Sequence, residues 1–238
     1  MCSCSDMTPP SSRNPDGQIR AVIFDLDDTL FLETEFVLSG LSAVDAWLRN
    51  ELAVTGFYAR AESSYRAGIR GRNINMALEE LGIPAQGELI KKLVHVYREH
   101  KPSLSLCPDA EWAIDWLRKS KRLGLITDGY LRTQRNKVAA LGLENLFDRI
   151  IYTDEGGLEK WKPDPGSFQA MSSFLGCAPW ECVYVADNPA KDFIAPRALG
   201  WQTVRVLRPG SQHWQVQVDP GQDATHRVRS LYQLPGAL

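Results

Sequence analysis

Short apolar runs that alternate with helical patterns constrain the fold of this chain more than any other feature. The runs are rich in Val and Ile, and they cover Ala21 to Phe24, Leu123 to Ile126, Ile150 to Tyr152, Val183 to Val185 and Thr203 to Val206. Helical apolar spacing lies between them, over Ala110 to Leu117, Arg132 to Leu141, Phe168 to Leu175 and Phe193 to Leu199. This alternation is typical of parallel strands joined by crossover helices. We therefore predict an α/β fold, with a Rossmann-like parallel sheet covered by helices on both faces.

The stretch from about Phe31 to Leu106 breaks this alternation and reads as helix after helix. Its apolar residues recur at three- and four-residue intervals, as in Val37, Leu41, Val44, Leu48 and Leu52. The stretch begins directly after the first strand, so we expect a helical cap above the edge of the sheet where ligands of open α/β sheets bind. The predicted organisation is a flexible leader over 1–18, a core domain over 19–31 and 107–238, and a cap domain over 32–106.

Composition excludes several functional classes. The chain has 238 residues, 44% of them hydrophobic, which is enough to bury a core. Its net charge is −2 with scattered Lys and Arg, so we expect no nucleic-acid partner. No run of about 18 apolar residues could span a membrane. The odd count of five cysteines predicts no disulfide framework, which favours a cytoplasmic location. Cys2 and Cys4 lie in the leader, and the sequence places no His or Cys partner for a metal near them.

Three carboxylates, Asp25, Asp27 and Asp28, follow the first predicted strand together with Thr29. Like charges at this density repel, so the cluster needs a cation or a protonated carboxyl group, and phosphate chemistry with a divalent metal meets both conditions. A single Asp here would be an ordinary turn former or helix N-cap. A calcium-binding loop is not expected, because Leu30 and Phe36 stand where such a loop requires Gly and Glu.

Three further predicted strands end in residue types that phosphoryl transfer requires. Thr127-Asp128-Gly129 offers a hydroxyl group and backbone N–H groups for phosphate oxygens. Lys160 and Lys162 precede prolines in a segment that could offset negative charge, and Asp187, Asn188 and Asp192 follow the fourth strand. Each motif alone would be a surface turn or a helix cap. Independent turns and helix caps, however, would not be expected to supply carboxylates, a hydroxyl group and a lysine in this order.

The ordered set resembles the haloacid dehalogenase superfamily of hydrolases, specifically a phosphatase-like member with a helical C1-type cap after the first motif. The resemblance runs from about Arg20 to Val206 and rests on Asp25-Leu26-Asp27-Asp28-Thr29, Thr127-Asp128-Gly129, Lys162-Pro163-Asp164-Pro165, and Asp187-Asn188 with Asp192. Lys162 is preferred to Lys160 because the prolines that follow it match the family pattern. One departure is Ala186, which stands where a glycine commonly precedes the metal-binding aspartate.

The resemblance implies a role for each motif residue. Asp25 is expected to be the nucleophile and Asp27 the general acid and base, while Thr127 and Lys162 hold the transferring phosphoryl group and Asp128 also contacts substrate. Mg²⁺ is expected to bind the side chains of Asp25 and Asp187 and the backbone carbonyl of Asp27. Asn188 and Asp192 are expected behind these ligands, with Asp192 orienting Lys162 or a metal-bound water.

The implied function is Mg²⁺-dependent hydrolysis of a small phosphorylated metabolite, such as a sugar phosphate, through an aspartyl phosphate. The acid at Asp27 favours phosphate esters over halides as substrates, because the halide that leaves in a dehalogenase needs no protonation. A phosphomutase of the same fold and a phosphate-binding or regulatory module without turnover remain alternatives. Substrate identity should depend on the cap, where the candidate contacts are Arg66, Arg70, Arg72, Asn73, His95, Arg98 and His100.

Overall fold

The chain folds around a six-stranded parallel sheet in a computed structural model that describes residues 17–219 and 221–238. The strands are β1 (Ala21–Phe24), β2 (Arg122–Thr127), β3 (Arg149–Tyr152), β4 (Cys182–Ala186), β5 (Gln202–Val206) and β6 (His226–Val228). Their order in the sheet is β3-β2-β1-β4-β5-β6, and every neighbouring pair is parallel. The first strand therefore lies in the interior of the sheet, between β2 and β4.

Helices cover both faces of this sheet. Val22 and Phe24 of β1 belong to a core cluster with α5 (Pro108–Leu117) and α6 (Leu131–Ala140). Ala21 and Ile23 belong to a second cluster with α7 (Gly166–Leu175) and α8 (Ile194–Ala198). Successive residues of a strand point to opposite faces, so the unbroken apolar run of β1 is what a sheet buried on both sides requires. The predicted α/β fold is confirmed.

Four helices connect β1 to α5. They are α1 (Glu33–Leu52), α2 (Phe57–Arg66), α3 (Asn73–Glu80) and α4 (Gly87–Glu99), and they bury a core of their own around Leu41, Val44, Leu48, Phe57, Leu78 and Leu93. We call these four helices the helical insertion. It meets the sheet domain where Thr133 and Asn136 of α6 donate hydrogen bonds to the backbone carbonyls at the end of α4, over distances of 3.1 Å. The exact domain boundaries at 32 and 106 stay a prediction.

The five predicted strands are present, most of them one residue longer at one or both ends than the apolar run. The sixth strand, β6, was missed because it has three residues and exposes two of them, His226 and Arg227. Most of the predicted leader, residues 1–16 with Cys2 and Cys4, lies outside the described residues. In the described part of the chain, no helix is both long and apolar enough to cross a bilayer.

Candidate active site

The four predicted motifs meet at the carboxyl edge of the sheet. Asp25 follows β1, Thr127 ends β2 and Asp187 follows β4, and the N–H of Asp25 donates to the carbonyl of Val185 over 2.9 Å. Because parallel strands end at the same edge of a sheet, their loops converge on one place. Together with α1 and α4 they enclose a cavity of about 360 Å³, which we call the catalytic cavity.

Lys162 is the cation at the centre of this site. Its Nζ lies 2.6 Å from Oδ1 of Asp25 and 2.8 Å from Oδ1 of Asp192, and it is 2.9 Å from the hydroxyl of Tyr184. Burial opposes the charge on Lys162, but Asp192 and Asp25 outweigh it and hold the pKa of this lysine well above its usual value. Lys160 is instead exposed and pairs with Asp164. The structure thus brings Lys162, and not Lys160, beside the predicted nucleophile.

Negative charge at this edge exceeds what Lys162 can balance. Oxygens of Asp25, Asp187 and Asp192 lie within 4.8 Å of one another, and all three residues are buried. Oδ2 of Asp187 is buried without a hydrogen-bond partner among the described residues. Burial raises the pKa of Asp187, and the carboxylates of Asp192 and Asp25 raise it further. An unpartnered carboxylate oxygen among hard oxygen donors fits a divalent cation such as Mg²⁺.

Asp25 itself is in an environment that disfavours its charge. Burial raises its pKa to about 7, although Lys162 acts in the opposite direction. A carboxylate that must attack phosphorus has to be ionised. Further positive charge beside Asp25 would therefore favour its reactive form, which is a second reason why the described residues fit a bound cation.

Asp27 is held from the side by two residues of α6. Lys137 Nζ lies 2.6 Å from Oδ1 of Asp27, and Gln134 Nε2 donates to Oδ2 over 2.9 Å. The same amide nitrogen of Gln134 lies 2.5 Å from Oγ1 of Thr127, so it links the first motif to the second. Lys137 is buried, with its Nζ 4.3 Å from the ring centroid of Phe36.

Sequence reasoning missed both Gln134 and Lys137. A signal was available, because helical spacing places them on the same face as Val138 and Leu141, which belong to the core. Polar residues on the apolar face of a helix need partners. Here the partners are Asp27 and Thr127, at the edge of the sheet.

Asp28 lines the catalytic cavity, but both of its carboxylate oxygens accept hydrogen bonds that shape the turn after β1. Its backbone has φ +54°, and its two carboxylate oxygens accept the N–H groups of Glu33 over 2.9 Å and of Gln212 over 2.8 Å. The first bond fixes the start of α1. The second fastens the loop that follows β5. Asp28 thus connects the first motif to α1 and to the loop after β5.

Asp128 ties together the loops that follow β2, β3 and β4. Its carboxylate accepts hydrogen bonds from Thr153 Oγ1 at 2.8 Å, from the N–H of Lys162 at 3.1 Å and from Lys191 Nζ at 2.7 Å. Burial opposes ionisation of Asp128, but Lys162 and Lys191 outweigh it and lower its pKa. The side chain is thus committed to protein contacts, while the residue still lines the catalytic cavity. Lys191, which lines the cavity together with Lys137, was not anticipated from the sequence.

Asp192 and Asn188 form the turn behind Asp187. Oδ2 of Asp192 accepts the N–H of Asn188 over 3.1 Å, and Oδ1 of Asn188 accepts the N–H of Ala190 over 3.0 Å. Asp192 also touches Lys162, as expected for a residue that orients this lysine. One of its carboxylate oxygens also belongs to the cluster that it forms with Asp25 and Asp187.

The helical insertion closes the other side of the catalytic cavity. Glu33 and Phe36 of α1 line it, as do Tyr97 and Arg98 of α4. Burial raises the pKa of Glu33 to about 7, and the neighbouring carboxylate of Asp27 adds to this effect. A second cavity of about 380 Å³ lies within the insertion and shares Glu33, Tyr97 and Arg98 with the first. We call it the cap pocket.

The structure separates the candidate contacts of the cap. Arg98 lines both cavities, and Arg70 and Asn73 line the cap pocket. The other four lie outside both cavities. Arg66 and Arg72 form surface ion pairs, His95 lies in an outer surface groove, and His100 bonds to Ser39 and to the carbonyl of Tyr97.

The haloacid dehalogenase-like hydrolase family model matches residues 22–206 of the chain. A glyceraldehyde 3-phosphate phosphatase from Methanopyrus kandleri is 30% identical, over 80% of this chain and 84% of the relative. A phosphoserine phosphatase from Thermus thermophilus is 32% identical, over 76% of this chain and 74% of the relative. The human N-acylneuraminate-9-phosphatase is 26% identical, over 74% of this chain and 77% of the relative. The named relatives are phosphatases, in agreement with the predicted enzyme class.

Solved structures agree with the family match. A hydrolase of this superfamily from Bacillus subtilis, described as bound to magnesium, aligns with a TM-score of 0.67 at 19% identity, over 93% of this chain and 99% of that one. A phosphatase of the superfamily from Thermococcus onnurineus aligns with a TM-score of 0.59 at 25% identity, over 92% and 97%. The resemblance found in the motifs is thereby confirmed. The chain belongs to the haloacid dehalogenase-like hydrolase family.

Proposed function

We propose that this protein is a Mg²⁺-dependent phosphatase that hydrolyses a small phosphorylated metabolite, such as a sugar phosphate, through an aspartyl phosphate on Asp25. One observation carries the proposal. The carboxylate of Asp25 lies 2.6 Å from the buried ammonium group of Lys162. It lines the catalytic cavity together with Asp27 and with Asp187, whose Oδ2 has no hydrogen-bond partner among the described residues. The proposed nucleophile and proton carrier thus face one space, and a buried cation contacts the nucleophile.

The protein's own residues supply most of the chemistry. Asp25 attacks phosphorus, and the P–O bond to the leaving group breaks. Lys162 offsets the negative charge shared by Asp25 and the phosphoryl oxygens, and Thr127 donates a hydrogen bond to one of those oxygens. Asp27 protonates the leaving oxygen and then takes a proton from the water that hydrolyses the aspartyl phosphate. Lys137 and Gln134 keep the Asp27 carboxyl in place during both steps.

Asp25, Asp187 and the backbone carbonyl of Asp27 would hold Mg²⁺, with Asn188 and Asp192 supporting the turn behind them. When bound, the ion supplies charge neutralisation for the phosphoryl oxygens. The orphaned Oδ2 of Asp187 supports this arrangement, since it has no other partner in the described part of the chain. Asp128 would contact substrate through its backbone while its carboxylate positions Lys162 and Lys191. The cytoplasmic location stays a prediction.

Phosphate release from a generic aryl phosphate tests the proposal. We expect release in the presence of Mg²⁺, little release after chelation with EDTA, and at least about a 1000-fold loss in Asp25→Asn, because the amide is not a nucleophile. Asp115→Asn is the matched control, since Asp115 lies on the exposed face of α5. An Asp25→Asn protein as active as the wild type would refute the mechanism.

The same assay addresses the two alternatives. A folded protein that releases phosphate from no ester in a broad metabolite panel would indicate a phosphate-binding module without turnover. Isomerisation of a phosphorylated substrate without release of inorganic phosphate would indicate a phosphomutase. Release as the main reaction supports the phosphatase.

A further inference from the structure

The cap pocket contains an arginine that pairs with no acidic side chain of the described residues. The guanidinium of Arg98 lies 3.7 Å above the ring centroid of Tyr130 and forms no ion pair in that part of the chain. Other arginines of this region do have acidic partners. Arg66 pairs with Glu62 at 2.7 Å, and Arg132 pairs with Glu99 at 3.3 Å. Arg98 is thus a half-buried cation that faces cavity space instead of an acidic side chain.

Arg98 also occupies the junction between the two cavities. It lines the catalytic cavity together with Asp25 and Asp27, and it lines the cap pocket together with Arg70. A molecule whose phosphoryl group reaches Asp25 would therefore extend its other end past Arg98. Stacking on Tyr130 restrains the guanidinium plane, which reduces the entropy lost when a planar anion binds to it.

The charges that line the cap pocket favour one negative group. Arg70 stacks 4.0 Å over Tyr65, and within the described residues it donates only to the backbone carbonyls of Tyr65 and Ile69. Among the described lining residues, the two guanidinium groups face a single carboxyl group, that of Glu33, which already accepts a hydrogen bond from Gln212. Because burial raises the pKa of Glu33 to about 7, this lining keeps an excess of positive charge that favours an anionic group. The planar guanidinium group of Arg98 matches a carboxylate through two parallel hydrogen bonds.

We propose that the leaving group of the substrate carries a carboxylate that binds Arg98 at the mouth of the cap pocket, with Arg70 at the outer rim. This inference rests on the proposed phosphatase function and narrows its substrate class to phosphate monoesters of hydroxy acids, including sugar acids. Arg98 becomes a substrate-binding residue that discriminates between leaving groups. A guanidinium group can form two parallel hydrogen bonds with a carboxylate, and this contact would allow Arg98 to favour leaving groups that carry one.

Matched substrates test the proposal. We would measure kcat/KM for 3-phosphoglycerate and for glycerol 3-phosphate, which differ in a carboxylate against a hydroxymethyl group. The wild type should prefer 3-phosphoglycerate by about 10- to 100-fold, the range expected for a charged hydrogen-bonded pair. Arg98→Gln should reduce that ratio to within about threefold of one, and Arg98→Lys should retain an intermediate preference. Arg60→Gln, which alters an exposed arginine of α2, should preserve the wild-type ratio.

The two kinds of failure are distinguishable. No hydrolysis of any ester, combined with tighter binding of 3-phosphoglycerate than of glycerol 3-phosphate in calorimetry, would refute the phosphatase and support the carboxylate site. Hydrolysis of both esters at equal kcat/KM would refute the carboxylate site and leave the phosphatase intact. A preference for 1,3-propanediol bisphosphate over 3-phosphoglycerate, or an unchanged ratio in Arg98→Gln, would also overturn the inference.

Discussion

Buried charges organise the active site at the scale of single residues. Lys162 contacts both Asp25 and Asp192 and has no exposed side-chain surface. A buried ion pair of this kind contributes little net stability, because desolvation cancels most of the attraction. Its value lies in fixing where the carboxylates point. The strained backbone of Asp28, with φ +54°, serves a similar purpose by turning the chain so that Asp25 and Asp27 face one cavity.

Lys137→Met tests whether the residues beside Asp27 matter for proton transfer. Methionine keeps the length of the side chain near Phe36 but removes the ammonium group that lies 2.6 Å from Asp27. We expect kcat for an aryl phosphate to fall about 10- to 100-fold, in the range of a general acid and base contribution, with a smaller change in KM. Lys91→Met, which changes an exposed lysine of α4, is the matched control. A wild-type kcat in a folded Lys137→Met protein would argue against this role.

The position of the motif residues at the carboxyl edge of the sheet could be predicted, because a strand fixes where the residue that follows it lies. Asp25, Thr127 and Asp187 each follow or end an apolar run, so the carboxyl edge of the sheet had to bring them together. Gln134 and Lys137 reach the site from the middle of a helix. Helical spacing places them on the buried face of α6, but which motif residues they contact depends on how α6 packs on the sheet, and no local motif encodes that packing.

Asp109 links several elements on the side of the sheet that bears α5. It lies in the first turn of α5, where Oδ1 accepts a hydrogen bond from Arg208 at 2.8 Å. Oδ2 accepts hydrogen bonds from Ser230 at 2.7 Å and from the N–H of Leu231 at 2.8 Å. Arg208 in turn donates to the carbonyl of Thr29 over 2.9 Å. The C-terminal segment, α5 and the first motif are thereby joined through one carboxylate.

This junction predicts a pH dependence of stability. Burial opposes ionisation of Asp109, but hydrogen bonds from Arg208, Ser230 and Leu231 outweigh it and lower its pKa below the ordinary value of 3.8. A carboxyl group whose pKa is depressed by folding stabilises the protein fully above its unfolded pKa. That stabilisation is lost as the pH falls through the folded pKa.

Chemical denaturation between pH 3 and 7 would measure the effect. Asp109→Asn should lower the free energy of unfolding by about 2 kcal/mol at pH 7, and the difference from wild type should shrink towards pH 3. Asp115→Asn, on the same helix but exposed, should show neither effect. A difference that stays constant across this pH range would contradict the assignment to the ionised carboxylate.

Elements with strong periodicity could be predicted, whereas short or exposed ones could not. The predicted run from Ala21 to Phe24 has the same bounds as β1. All four residues of this strand are buried and apolar, so the apolar run marks both of its ends. The strand His226–Val228 has no such pattern, since it pairs only with β5 at the edge of the sheet. Its formation depends on tertiary contacts that the sequence does not display locally.

At the scale of the whole molecule, the active-site residues lie between the core of the sheet domain and the separate core of the helical insertion. The sheet provides the proposed nucleophile Asp25, Lys162 and the acidic cluster, while the helical insertion has a separate core and adds Tyr97 and Arg98. The general position of the insertion could be predicted, because the chain leaves the sheet directly after Asp25. The side chains that it presents to the cavity could not, because they depend on how α1 and α4 pack. The two helices approach each other closely at Gly40 of α1, where an added Cβ would lie 2.6 Å from the ring of Tyr97 on α4.

Trapping the covalent intermediate tests the central claim most directly. The protein would be mixed with Mg²⁺ and a rapidly hydrolysed phosphate ester, quenched in acid during turnover and treated with borohydride, which reduces an aspartyl phosphate to homoserine. Peptide mass spectrometry then locates the modified residue. Homoserine at position 25, absent without substrate and without Mg²⁺, is the predicted result. Sustained phosphate release with no modification, or with modification at another carboxylate, would contradict Asp25 as the nucleophile.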